Sequence, residues 1–263
     1  MGLTVATWNI NSVRLRADLV CRFLTEEAPD ILCLQETKSP VDKIPREAFA
    51  ALGYGHLVAR GEKGYNGVAI LSRVPIDDAG QHDFCGKGDA RHVAARLSDG
   101  TVLHNVYVPS GGDEPNRDKN PKFAHKLDFV AELAEWGAAR QGRGILVGDL
   151  NIAPLPEDVW SHTQMLKVVS HTPVETEGLE AALAAGGWQD VTRADLPPPQ
   201  KLYSWWSYRA KDWDASDRGR RLDHIWARGG VAALPGSSRV LRAWRGVEKP
   251  SDHVPVLAEF EIG

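Results

Sequence analysis

Short apolar, β-branched runs recur along this chain and read as strands: Leu3 to Trp8, Ile31 to Gln35, Gly67 to Ser72, Val93 to Leu97, Val102 to Val108, Ile145 to Asp149, Leu222 to Ala227 and Val254 to Phe260. Between some of them the apolar period lengthens to that of a helix. Ser12 to Glu27 spaces Arg16, Leu19, Val20, Phe23 and Leu24 along one face, with Asn11 or Ser12 available as cap and Pro29-Asp30 as stop. Asn116 to Arg140 gathers Phe123, Leu127, Val130, Ala131 and Ala134. Thr176 to Ala185 does so with Leu179, Ala182 and Leu183, then ends at Gly186-Gly187. The Gly-, Pro- and Asp-rich loops between these segments do not read as an interdomain linker. The pattern predicts one α/β domain over residues 1–263, with two packed mixed sheets and helices outside.

Composition adds little to that picture and removes several alternatives. With 263 residues the chain buries a large core without staples, and 43% hydrophobic with 25% charged residues is ordinary for a globular protein. Cys21, Cys33 and Cys85 are an odd count without metal spacing, which fits a reducing compartment. The N-terminus runs straight into a strand, so no signal peptide is expected, and no stretch has transmembrane length. A net charge of -4 does not advertise nucleic-acid binding. Carboxylates gathered around a metal would supply that charge, however, while local arginines still meet phosphates.

What distinguishes the chain is how its strands end. Asn9 closes Thr7-Trp8-Asn9, Glu36 follows Leu34-Gln35, Asp149 and Asn151 lie in Gly148-Asp149-Leu150-Asn151, Asp223 lies in Arg221-Leu222-Asp223-His224, and Asp252-His253 precede the last strand. Strand after strand ending in a carboxylate, carboxamide or imidazole predicts one polar site at a sheet edge. Phosphodiester hydrolysis at neutral pH needs such a set, and a divalent cation supplies much of the charge neutralisation. Magnesium takes oxygen ligands and needs only one or two carboxylates, for which Glu36 is the best single candidate; a surface or capping glutamate is the plainer reading. Asp149 and Asn151, two apart, can point the same way to handle a water and a phosphate oxygen, or simply form a β-turn. His253 pairs with a carboxylate such as Asp223 or is a buried, satisfied histidine. Tyr107 presents its hydroxyl to phosphate or packs at a core edge. Of Trp205 and Trp206, one faces the core and the other the site, and the basic residues from Arg209 to Arg221 interleave with aromatics as on a nucleic-acid surface or in a solvated loop. His56, His82, His104, His125, His162 and His171 have no comparable setting and read as structural.

These segments, in this order, resemble the exonuclease III family of abasic-site DNA repair nucleases, within the endonuclease/exonuclease/phosphatase superfamily. The resemblance is carried by Trp8-Asn9-Ile10-Asn11-Ser12-Val13-Arg14, Leu34-Gln35-Glu36-Thr37-Lys38, Gly64-Tyr65-Asn66-Gly67, Asn105-Val106-Tyr107-Val108-Pro109, Gly148-Asp149-Leu150-Asn151, Tyr203-Ser204-Trp205-Trp206-Ser207-Tyr208, Arg221-Leu222-Asp223-His224 and Lys249-Pro250-Ser251-Asp252-His253. It spans nearly the whole chain.

The resemblance implies a four-layered α/β sandwich and a Mg²⁺-dependent nuclease, with Mn²⁺ as substitute. Such an enzyme cuts duplex DNA 5′ to abasic sites, with 3′-to-5′ exonuclease and 3′-end-trimming activity. Glu36 resembles the principal metal ligand, supported by Asn9, with Asp252 as a second carboxylate. Asp149 resembles the residue that activates water, Asn151 and Tyr107 those that contact the scissile phosphate, and His253 the imidazole paired with Asp223. Trp205 and Leu222 match the wall of the pocket for an extruded abasic sugar. Asn11 stands where some members carry a metal-binding Asp, and Arg220 where some have an aromatic pocket residue. The expected partner is duplex DNA with abasic sites or blocked 3′ ends, met by a cytoplasmic monomer associated with the nucleoid through DNA and without a membrane. The alternatives are a superfamily phosphodiesterase acting on phosphoinositide or sphingomyelin, and a non-catalytic nucleic-acid-binding module.

Overall fold

The computed structural model describes residues 2–261, and its strands form two mixed sheets. In chain order the strands are β1 (Gly2–Asn9), β2 (Ile31–Gln35), β3 (His56–Arg60), β4 (Val68–Ser72), β5 (Asp77–Asp78), β6 (His92–Arg96), β7 (Val102–Tyr107), β8 (Gly144–Asp149), β9 (Gln189–Asp190), β10 (Asp223–Arg228), β11 (Ala232–Ala233), β12 (Arg239–Val240) and β13 (Val256–Glu261). One sheet runs β11-β13-β1-β2-β4-β3, with β12 also on β13; the other runs β5-β6-β7-β8-β10-β9. β1 is parallel to β2, and β7 to β8; every other pair is antiparallel.

β2, β4, β8 and β10 are buried at every position because both their faces are covered. In β2, Ile31 and Cys33 point between the sheets, where they meet Val5 and Ile70 and, from the second sheet, Val93, Leu103, Ile145, Val147 and Ile225. Leu32 and Leu34 point the other way, onto Phe23 of α1 (Ala17–Glu26), Trp8 and Trp244. On the far side Leu146, Val106 and Trp226 pack against Phe129, Val130 and Leu133 and against Leu179, all from helices. The result is the expected helix–sheet–sheet–helix order. Each fully buried Leu, Ile or Phe contributes about 1.5–3 kcal/mol.

Helix boundaries differ from expectation for local reasons. α1 starts at Ala17 with Arg16 as an N-cap that makes no side-chain bond, so neither Asn11 nor Ser12 caps it. Both of those residues have positive φ, and the Asn11 side chain is drawn to Lys38 and Asp252 instead. A short helix, α2 (Arg46–Ala50), precedes β3; neither was expected, because β3 is an edge strand whose ends are polar. α3 (Pro121–Ala138) is capped by Asn120, which accepts from the Lys122 backbone. Its buried face is Phe123, Lys126, Phe129, Val130, Leu133 and Trp136, whereas Ala131 is exposed and Leu127 and Ala134 are only half-buried. The stripe is rotated from the one hydropathy suggests because a lysine belongs to it. After α4 (His162–Met165), α5 (Pro173–Ala185) begins three residues earlier than its apolar spacing indicates. Thr172 and Glu175 form a capping box there, and Pro173 suits the first turn.

Register aligns the polar strand ends within each sheet, and the packing of the two sheets brings those ends together. Asn9 lies opposite Gln35, Tyr107 opposite Asp149, and Asp149 opposite Asp223. In β8 the residue before Asp149 must be glycine: Gly148 has φ +146°, and a Cβ there would lie 1.8 Å from the Val106 carbonyl oxygen. Bridges from Trp205 to Arg220 and to His253 lay the tryptophan segment across the same edge.

Candidate active site

The strand-end residues form one continuous hydrogen-bonded set at the foot of a cleft of about 640 Å³. Asn9 is its hinge: Nδ2 donates to Glu36 Oε1 and to Asp149 Oδ2, each at 2.9 Å. Its own Oδ1 accepts from the Asn11 backbone at 3.1 Å. Asn9 therefore supports Glu36 through its amide hydrogens and does not present an oxygen beside it. Glu36 has φ +49° just beyond β2, and its Oε1 also accepts from the Tyr107 hydroxyl at 2.8 Å. Its Oε2 lies 2.7 Å from Lys38 Nζ, which donates at 2.6 Å to Asn11 Oδ1. Asn11 Nδ2 reaches Asp252 Oδ1 at 3.3 Å, and Trp205 Nε1 donates to the other oxygen of Asp252 at 2.9 Å.

The second half of the set is built around Asp149 and His253. Asp149 Oδ1 accepts from the Asn151 backbone at 2.9 Å, and Oδ2 accepts from Asn151 Nδ2 at 3.2 Å. Asn151 has φ +54°, so the two side chains meet through an Asx-type turn, not through strand alternation. The turn and the site are one structure, which dissolves the choice between them. His253 Nδ1 lies 2.8 Å from Asp223 Oδ2, and Nε2 lies 3.6 Å from Asp149 Oδ2. Ser251 Oγ donates to the Asn9 carbonyl at 2.6 Å and Trp8 Nε1 to the His253 carbonyl at 2.9 Å, which pins the Ser-Asp-His segment against β1.

Burial and charge oppose each other here, and the balance differs by residue. Burial pushes the Asp149 carboxyl up to about 7; Asp223 and Glu36 add to the rise, while His253 and the Asn9 amide act against it. Burial alone would lower His253, but Asp223 first, then Asp149 and Asp252, hold it protonated, up to about 10. Burial disfavours the charged form of Glu36 too, yet Lys38 and the Asn9 amide outweigh it and keep the carboxyl below its usual range. Tyr107 is raised well above the ordinary phenol value by burial, then by Glu36 and Asp149, so it stays a donor.

The strand-end and wall residues singled out in the sequence meet here, whereas Arg221 does not: it is buried in ion pairs with Asp158 and Asp190. Glu36, Asn151, Trp205, Arg220, Leu222, Asp252 and His253 line the cleft; Asn9, Asn11, Tyr107, Asp149 and Asp223 are bonded behind them. Trp205 faces the cleft while Trp206 is in the core, as their adjacency required. The guanidinium of Arg220 stacks 4.9 Å from the Trp205 ring centroid, so the wall position is filled and not opened. Arg209 and Arg218 also line the cleft; like Arg220, they form no ion pair among the described residues. His56, His82, His104, His125, His162 and His171 lie off it. Sequence reasoning gave no role to Lys38 or Trp160, and missed Lys126; the signal for the last was a lysine three residues from both Phe123 and Phe129.

The donors facing the cleft fit a hard divalent cation. Glu36 and Asp252 offer carboxylate oxygens, and Lys38 Nζ is a positive group already held by Glu36 and Asn11 oxygens. Asp149, Asp223 and His253 also bring one ligand atom each within 4.8 Å of one another, but there the Nδ1 of His253 is committed to Asp223.

The chain is 29% identical to exodeoxyribonuclease III of Haemophilus influenzae, across 97% of this chain and 98% of that protein. Its fold superposes on an AP endonuclease from Archaeoglobus fulgidus with a TM-score of 0.90 at 32% identity, covering 99% of this chain and 100% of that one. It superposes on the 3′ phosphatase NExo from Neisseria, solved with a product DNA hairpin, with a TM-score of 0.88 at 34% identity, again covering 99% and 100%. Residues 6–253 match the model of one family, and with the strand-end site spanning that same stretch, the chain belongs to the Endonuclease/Exonuclease/phosphatase family.

Proposed function

We propose that this chain, acting as one domain over residues 1–263 and as a monomer in the cytoplasm, is a Mg²⁺-dependent DNA repair nuclease. It cleaves duplex DNA on the 5′ side of abasic sites and trims blocked 3′ ends. One observation carries the reading: a single amide, that of Asn9, joins the Glu36 carboxylate to the Asp149–His253 pair. The groups that would hold a cation and the groups that would move a proton are thus parts of one site.

Glu36 holds the Mg²⁺ (or Mn²⁺), with Asp252 as a second carboxylate, and the bound ion supplies charge neutralisation at the phosphate. His253, kept protonated by Asp223, lines the cleft, and its Nε2, 3.6 Å from Asp149 Oδ2, donates to a phosphoryl oxygen as negative charge develops. Asp149, with a proton affinity near neutral pH, accepts the proton of the attacking water as its oxygen bonds to phosphorus and the P–O3′ bond breaks, and the leaving 3′ oxygen takes up a proton from solvent to become the 3′-hydroxyl. Tyr107 and Asn9 keep Glu36 in place, and the Asn151 side chain stands at the cleft wall beside the phosphate. Trp205, Leu222 and the stacked Arg220 enclose an extruded, baseless sugar; extrusion costs least where no base must unstack. Arg209 and Arg218 meet the strand backbone.

The test is product analysis on paired intact and abasic duplexes, with a phosphoinositide headgroup and sphingomyelin alongside. Chelation abolishes abasic cleavage and added Mg²⁺ restores it. Full activity in chelator, or turnover of the headgroups in preference to DNA, ends the reading.

A further inference from the structure

Lys126 of α3 and Glu175 of α5 are both completely buried, and Lys126 Nζ lies 2.5 Å from Glu175 Oε1. Neither lines the cleft. Two charges taken wholly out of water are weak evidence of stabilisation, because the cost of desolvation rivals their attraction. What their hydrogen bonds reach is more informative. On one side Nζ donates to the Asn151 carbonyl at 2.8 Å and to the Ser110 carbonyl at 3.3 Å. Asn151 has a left-handed backbone conformation and carries one of the cleft's amides. On the other side the Glu175 carboxylate accepts from the backbones of Ser170, at 2.9 Å, and Thr172, at 3.1 Å, and from the Thr172 hydroxyl, at 2.7 Å. Ser170 Oγ and the Val169 carbonyl in turn accept from Arg220 Nη1 at 3.0 and 3.1 Å, and Arg220 stacks on Trp205.

The pair thus ties the turn that holds Asp149 and Asn151 to the wall that holds Arg220 and Trp205. Room is made for it: a Cβ on Gly111, whose φ is +87°, would lie 2.8 Å from Lys126 Cδ and 3.0 Å from Val169 Cγ1. We infer that Lys126 and Glu175 are positioning residues, fixing the Asn151 turn against the Arg220–Trp205 wall so that phosphate and sugar are engaged together. This rests on the proposed nuclease reading. The pair touches no substrate and acts only through Asn151, Ser170 and Arg220.

The experiment compares wild type with the double variant Lys126→Met/Glu175→Leu, which removes both charges at similar volume and leaves no buried ion alone. Measured are the melting temperature, kcat and KM on an abasic duplex with Mg²⁺, and the side-chain amide resonances of Asn151. Expected are a lower melting temperature, since the Asn151 and Ser110 carbonyls and the Ser170 and Thr172 amides lose buried partners, shifted Asn151 amide resonances, and a kcat lower by about 10–100-fold well below the melting temperature, the range seen when outer-shell partners are removed. KM changes far less. A role in stability alone would lower the melting temperature but leave kcat and the resonances unchanged in the folded protein, and that result overturns the inference. Should the double variant not fold, Lys126→Met/Glu175→Gln, which also leaves no buried ion alone and keeps acceptor capacity for the Ser170 and Thr172 backbones, replaces it with the same expected kcat loss; wild-type kcat in that variant overturns the inference. A wild-type enzyme with no Mg²⁺-dependent cleavage fails the nuclease reading itself, whereas an active wild type with an equally active double variant fails only this inference.

Discussion

Asp149→Asn separates the energetic cost of this site from its use. The wild-type carboxyl is 1% exposed and its proton affinity rises from 3.8 to about 7, mostly through burial. About three pH units correspond to roughly 4 kcal/mol at most by which the ionised group opposes folding. The sign follows from proton binding: the native state holds this proton between pH 3.8 and about 7 while the unfolded chain has lost it, so stability falls as pH rises through that window. Asparagine removes the charge. It also turns an amide toward the Asn9 and Asn151 donors, and an orphaned buried donor costs about 1–3 kcal/mol. Two such donors cost about 2–6 kcal/mol against at most about 4 for the carboxyl, so the variant at pH 8 is expected to lie within about 2 kcal/mol of wild type in stability. Turnover is affected far more: loss of a proton acceptor costs about 10²–10⁴-fold. The assay is single-turnover cleavage of a duplex carrying a synthetic abasic site, with Mg²⁺, beside thermal melting at pH 5 and pH 8. Two results refute the reasoning: normal cleavage by the variant, or inactivity accompanied by a large fall in melting temperature at pH 8.

Other perturbations probe separate links. Trp205→Ala removes the cleft wall and the partner of Asp252, and should weaken abasic cleavage by more than it weakens hydrolysis of a small phosphodiester; loss of an aromatic anchor, about 2 kcal/mol or more, sets the scale, and equal loss on both substrates contradicts the wall assignment. Gly148→Ala should unfold the β7–β8 edge, because its Cβ would overlap the Val106 carbonyl at 1.8 Å, with a loss of more than about 3 kcal/mol in urea denaturation; a variant of wild-type stability would mean the strand is placed wrongly. Burial lowers His92 and His224 to about 3, so both are neutral when folded and the unfolded chain binds their protons first below pH 6.5. Each contributes stability present above pH 6.5 and lost on acidification toward pH 3, about 1.4 kcal/mol per pH unit. His224→Gln should therefore flatten the acid limb of the stability profile, and an unchanged slope argues against the burial account.

The sequence by itself pointed to two packed sheets with helices outside and to the polar strand-end residues. Both are written in local pattern: apolar β-branched runs mark β1, β2, β7, β8 and β10, and each such run is followed or, in β10, preceded by a polar residue that a strand end alone does not require. Strand pairing aligns Asn9 with the end of β2 at Glu36 in one sheet and Tyr107, Asp149 and Asp223 in the other, and packing of the two sheets face to face brings those ends together. Tertiary structure decided the rest, for reasons that no local pattern carries. Edge strands such as β3 are half exposed and lose the apolar signature. Asn11 does not cap α1 because Lys38 and Asp252, distant in sequence, compete for its amide. Asp149 lies behind the cleft surface while Asn151 reaches it, since a left-handed turn and not strand alternation sets their directions. Above all, Lys126 is buried among aromatics only because Glu175, 49 positions later, waits in the adjoining helix. Hydropathy scores each residue against water, whereas a buried charge is decided by the partner that replaces water, and that partner is known only once the chain has folded.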